Sequence, residues 1–118
     1  MHDDPAPTFT IDENRVDGVV ILSVSDVLDL TTAPRLATEI SAKLAQSPTA
    51  LIVDLTQVTF LASAGMTVLI KGQEQAGTTV RFGVVAEGSA TSRPIKLLGL
   101  DDTLAMYPTL DDALRELR

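Results

Sequence analysis

Apolar positions follow a two-residue rhythm in some stretches and a helical one in others. Phe9 and Ile11 alternate with Thr8, Thr10 and Asp12, Glu13 takes the next place, and after Asp17-Gly18 the run Val19-Val-Ile-Leu-Ser-Val24 is apolar almost throughout. Alternation, an Asp-Gly turn and a second run predict a hairpin whose second strand is covered on both faces. Asp29-Leu-Thr-Thr-Ala-Pro34 then opens a helix, with Thr31 or Thr32 as N-cap and Pro34 in the first turn, where its missing N–H costs nothing. Ala33, Leu36, Ala37, Ile40 and Leu44 recur at helical spacing and define its inner face, and Ser47-Pro48 stops it.

Ala50-Leu-Ile-Val-Asp54 reads as a short central strand. The stretch Val58 to Ile70 is apolar, interrupted by Ala62-Ser-Ala-Gly65. It predicts the loop after a buried strand, turning at Ser63 into a helix that runs to about Ala76, with Met66 and Leu69 inward and Gly77 as the terminating residue. Thr78 to Ala86 is the next strand. A short helix with Pro94 near its first turn runs to Leu98 and is closed by Gly99, and Leu104 to Tyr107 is a brief edge strand. Thr109 followed three residues later by Asp112 resembles a capping box opening a last helix with Ala113, Leu114 and Leu117 on its apolar side. Helices between strands argue an α/β fold: a mixed, mostly parallel β-sheet with about four helices packed largely on one face. Residues 1–7, acidic and Pro-bearing, are expected to form a flexible arm, and residues 8–118 a single domain.

Composition narrows the functions open to this fold. Apolar residues make up 45% of the 118 and aromatics 3%, so the core is aliphatic and little is left for stacking on bases. A net charge of −7 disfavours a grip on nucleic acid or an anionic membrane and leaves a protein or a small ligand as the expected partner. The uncharged run from Leu55 to Ile70 falls short of the roughly 18 residues a membrane span needs. The first residues show neither a basic flank nor an apolar signal core, so a cytoplasmic location is expected.

Without cysteine, and with His2 as the sole histidine, no Ser-His-Asp or Cys-His arrangement can be assembled, and no thiolate metal site. Neither a P-loop nor a G-x-G-x-x-G motif is present. An enzyme is therefore not expected, nor a cofactor or metal. Asp54, at the expected end of a parallel strand, reads either as a phosphoacceptor or as the residue ordering the following loop. The pairs Asp3-Asp4, Asp101-Asp102 and Asp111-Asp112 read as solvated charges at loops or helix starts. Ser63 has two readings as well. It can cap its helix, which is worth about 1 kcal/mol over alanine, or it can be a hydroxyl approached by another protein, since Ala62, Ala64 and Gly65 remove bulk around it.

Leu51-Ile-Val-Asp-Leu-Thr-Gln-Val-Thr-Phe-Leu-Ala-Ser-Ala-Gly-Met-Thr-Val-Leu69 resembles the signature of STAS domains, in particular the small bacterial anti-sigma factor antagonists. Asp29-Leu-Thr-Thr-Ala-Pro34 resembles the family's second motif, and Leu98-Gly-Leu-Asp-Asp102 with Thr109-Leu-Asp-Asp-Ala113 its C-terminal part. The resemblance implies a domain without catalysis of its own that works as a partner switch. The unmodified form binds an anti-sigma factor and so releases a sigma factor. That anti-sigma factor, often an ATP-dependent serine kinase, phosphorylates the antagonist and frees itself. By matching position Ser63 is the phosphoacceptor, and Asp29, Leu30, Thr31, Thr32, Ala62, Ser63, Ala64, Gly65 and Met66 form the partner-binding surface. The family's aspartate before the phosphoacceptor is Ala62 here. A monomer or weak dimer is expected, and the alternative role is an accessory subunit of a transporter or larger signalling assembly.

Overall fold

The computed structural model describes residues 9–118, so the arm expected over residues 1–7 lies outside the described residues. The chain runs through β1 (Thr10–Val16), β2 (Val19–Leu28), α1 (Ala33–Leu44), β3 (Ala50–Leu61), α2 (Ser63–Ala76), β4 (Arg81–Val85), α3 (Ser92–Leu97), a 3₁₀ turn at Leu100–Asp102, β5 (Met106–Tyr107) and α4 (Leu110–Leu117). Among the described residues the strands form one sheet in the order β1-β2-β3-β4-β5. β1 is antiparallel to β2 and every other neighbour is parallel. The Asp17-Gly18 turn closes the hairpin with positive φ at both residues, 50° and 84°, as a tight turn of this kind requires.

Strand alternation sorts the sheet's side chains onto two layers. Val20, Leu22, Val24, Leu51, Val53, Leu55, Phe82 and Val84 meet Leu36 and Ile40 of α1, Leu69 of α2 and Ile95 of α3 in the larger core. Val19, Ile21, Ala50, Ile52 and Val85 meet Ala113 and Leu117 of α4 on the other face. Covering both faces explains the nearly unbroken apolar runs of β2 and β3. On the α4 side Gly83 has no Cβ, and one placed there would come within 2.5 Å of Leu117 Cδ1, so the glycine lets the last helix sit down on the sheet. The edge strand β1 is tied to α1 by Glu13, which bridges Lys43 at 2.9 Å and Arg15 at 2.8 Å.

The structure departs from the local pattern at several places, and β5 begins at Met106 rather than Leu104. β4 begins at Arg81 rather than Thr78, because Thr79 and Val80 hydrogen-bond back to the Ala76 carbonyl in the turn after α2. A 3₁₀ turn follows α3 where none was expected. The largest difference is β3, which continues from Asp54 to Leu61 through a stretch expected to be a loop. Its second half pairs with an equally extended β2, Ser25 opposite Gln57 and Leu28 opposite Leu61, across register shifts at Ser23/Ser25 and Asp26/Val27. Asp26 sits at φ 74° within this irregular segment. Parallel pairing supplies the hydrogen bonds that hold residues 55–61 extended.

Candidate functional site

β2 and β3 end side by side, and the two corners that follow them are joined by a hydrogen bond from Ala62 N–H to the Leu28 carbonyl at 2.9 Å. That bond brings the Asp29 to Thr32 segment and the Ala62 to Met66 segment, far apart in sequence, to one end of the sheet. Functional groups of open α/β sheets gather at this carboxyl end of the strands.

The Asp29 corner is held by a reciprocal network. The Asp29 carboxylate accepts from the N–H groups of Thr31 at 3.0 Å and Thr32 at 3.2 Å, and the Asp29 carbonyl accepts from Ala33 N–H at 2.8 Å. Thr32 Oγ1 in turn accepts from Asp29 N–H and donates to the Val27 carbonyl, both at 2.9 Å. Thr32 does occupy the N-cap place of α1, but its side chain makes no cap bond, because it is spent on the turn behind it. Asp29 satisfies the free amides instead, one turn early. With Asp29 half-buried and Thr32 engaged, the exposed side chains of this corner are Thr31 and Leu30, and Leu30 is 80% exposed.

Ser63 is not the cap of α2. Because β3 stays extended through Leu61, the change from extended to helical backbone falls at Ala62, with φ −87° and ψ 168°, and Ser63 becomes the first helical residue. The N-cap position thus holds a methyl group and no side chain caps the helix. Ser63 is exposed. Its carbonyl accepts from Thr67 Oγ1 at 3.1 Å. Ala64 is half-buried, Met66 is buried in the main core, and Gly65 is buried too. A Cβ at Gly65 would lie 2.8 Å from Leu28 Cγ and 2.8 Å from Leu61 Cδ1. The close approach that Gly65 permits is therefore internal: it seats the first turn of α2 onto the ends of β2 and β3. Among the expected site residues, Ser63, Leu30 and Thr31 face outward, while Asp29, Thr32, Gly65 and Met66 shape the ground beneath them.

Two grooves flank the crest of α2. One, of about 350 Å³, runs between α1 and α2 past Leu30, Ala33, Ala37, Ala64 and Lys71. The other, of about 300 Å³, lies between α2 and the segment after α3, lined by Ser63, Met66, Thr67, Ile70 and Leu98. Phe60, Leu97 and Leu98, at 56%, 73% and 61% exposure, were not singled out from the sequence. Helical spacing from the buried Ile95 would have placed Leu97 outward, but Phe60 was hidden by the reading of its strand as a loop. Asp54 lies within β3 rather than at its end, and its carboxylate accepts from Thr56 N–H at 2.9 Å, so it orders its own strand. Among the described residues no group of three or more His, Cys, Asp or Glu is placed to hold a metal ion, and no helix is long and apolar enough to cross a membrane.

The STAS domain family model matches residues 10–113. The anti-sigma-F factor antagonist RsfB of Mycobacterium tuberculosis is 47% identical over 111 residues, covering 94% of this chain and 89% of that protein. A crystal structure of an anti-sigma factor antagonist from Mycobacterium paratuberculosis superposes with a TM-score of 0.91 at 47% identity, covering 97% of both chains. A further structure from Thermotoga maritima, described as a putative anti-sigma factor antagonist, reaches a TM-score of 0.83 at 22% identity over 92% of this chain and 94% of that one, and shares the fold.

Proposed function

The chain belongs to the STAS domain family, and within it we propose that this protein is an anti-sigma factor antagonist: unmodified, it binds an anti-sigma factor in the cytoplasm and so releases a sigma factor, and phosphorylation of Ser63 switches binding off. The observation that carries the reading is the exposed Ser63 hydroxyl, free of any capping duty, at the corner shared by β2 and β3. The near full-length match to a relative named as an antagonist favours this role over that of a transporter subunit.

The geometry suits a switch that changes the complex and spares the fold. A phosphate on Ser63 adds a charge of about −1.5 to −2. It would stand at the positive end of the α2 dipole, beside first-turn N–H groups that no side chain caps. The folded domain tolerates the group for that reason. In a close-packed interface the same group must be desolvated and given room, a cost that a phosphate left in water does not carry. Ala62 at the N-cap sets no side-chain oxygen in competition with the phosphate for the first-turn amides.

The test is co-purification with candidate anti-sigma factors of the wild-type chain, Ser63→Ala and Ser63→Glu. Binding by the first two and loss in the third is expected. Equal binding by all three refutes the switch, and no binding by any refutes the antagonist reading. Mass spectrometry after incubation with the candidate kinase and ATP should place a single phosphate on Ser63; modification elsewhere counts against it.

A further inference from the structure

Resting on the antagonist reading, we propose that the anti-sigma factor's docking surface extends from Ser63 across the outer face of α3, where Phe60, Leu97 and Leu98 anchor an apolar partner surface edged by carboxylates that pair with Arg93 and Lys96. The large apolar side chains left exposed among the described residues are Leu30, Phe60, Leu97 and Leu98. The last three belong to one continuous region. Leu98 lines the same groove as Ser63. Phe60 and Leu97 share a cleft of about 320 Å³ with Arg93 and Pro94. Leu97 and Arg93 also border a hollow of about 530 Å³ with Lys96 and Glu87. Large apolar side chains held together in water beside concave clefts mark an interaction surface.

The cations identify the partner's chemistry. Arg15, Lys43, Arg115 and Arg118 are paired with carboxylates within the chain. Arg81 donates to the Glu116 carbonyl and Arg35 lies over the Phe9 ring. The remaining Lys71, Arg93 and Lys96, which form no ion pair among the described residues, all line the hollows around α2 and α3. Among the described residues, the positive charge without an ion pair or other such contact thus lies on the face that carries Phe60, Leu97 and Leu98. The chain's net charge of −7 repels an acidic partner at long range. At physiological salt, where the screening length is about 8 Å, the contact is decided by groups that touch. Carboxylates set against Arg93 and Lys96 satisfy them.

The inference is tested by titrating the full chain into candidate anti-sigma factors, using Leu97→Asp, the double variant Arg93→Glu with Lys96→Glu, and Ser63→Glu as a reference. These side chains are exposed, so thermal melts should be unchanged. Leu97→Asp and the double variant should each weaken binding by about tenfold or more, and the double variant should lose much of the wild type's salt dependence. Wild-type affinity in both, with loss only in Ser63→Glu, overturns this surface and leaves the antagonist reading standing. No binding by the wild type overturns both. A concentration-dependent dimer of the free chain that Leu97→Asp abolishes would give the face to a second copy and overturn the proposal.

Discussion

Replacing Ala62 by aspartate should stabilise the domain, and the size of the effect follows from the start of α2. Ala62 already has the extended backbone of an N-cap residue, and its carbonyl accepts from Gly65 N–H at 3.0 Å and Met66 N–H at 3.2 Å. What is missing is a side-chain oxygen for the amide of Ala64, and no acidic residue stands in the first turn. A cap of this kind is worth about 0.5–2 kcal/mol over alanine, and the charge–dipole attraction adds about 0.3–1 kcal/mol. The gain in Ala62→Asp is therefore about 1–3 kcal/mol. With an unfolding entropy of roughly 2.1 cal/mol/K per residue, a chain of this length has its melting temperature raised by about 4–12 °C. Urea denaturation should show a higher midpoint with an unchanged slope. Ala62→Asn supplies the oxygen without the charge and should retain the capping share alone. Its shortfall against Ala62→Asp should vanish once the pH falls below the ordinary aspartate range near ~4. A melting temperature equal to or below wild type in both variants would refute the claim that α2 begins uncapped at Ala62.

Gly65→Ala should destabilise despite better helix propensity: the added methyl meets Leu28 and Leu61 at 2.8 Å. Overpacking of about 1–3 kcal/mol outweighs a propensity gain of about 1 kcal/mol, and a raised urea midpoint would contradict the internal role assigned to this glycine. Thr109→Ala removes the side chain that accepts from Asp112 N–H at 3.1 Å and should cost about 1 kcal/mol, read as a lower melting temperature; no change would mean α4 is held by packing alone. Glu13 is held below its ordinary value of 4.5 by its hydrogen bond to Lys43, and then by that to Arg15. A carboxylate with a lowered folded-state pKa stabilises above its unfolded value and loses that contribution as pH falls through the folded one. The urea midpoint of Glu13→Gln should accordingly lie below wild type at neutral pH and converge with it in acid below 4.5; a difference that persists there would show that the carboxylate charge is not what ties β1 to α1.

Features that depend on neighbours in the chain were legible from the residues themselves. The span of α2, Ser63–Ala76, matches the expected one because the apolar spacing and Gly77 are local signals, and Thr109 caps α4 as the Thr-x-x-Asp pattern implied. The order of elements, the two-sided burial of β2 and the central place of β3 follow likewise from periodicity and turn chemistry. What the residues could not reveal depends on distant strands. Residues 55–61 are extended because β2 lies alongside to bond them, and nothing local distinguishes that strand from an apolar loop. That extension makes Ala62 the N-cap and turns Ser63 from a cap into a free hydroxyl. It also points Gly65 at Leu28 and Leu61, and brings Phe60 beside Leu97. Hydrophobic pattern thus determined which segments are helix or strand, since that choice rests on spacing along the chain. Tertiary pairing decided which small residues serve the core and which groups are left exposed, since those depend on contacts made across the fold.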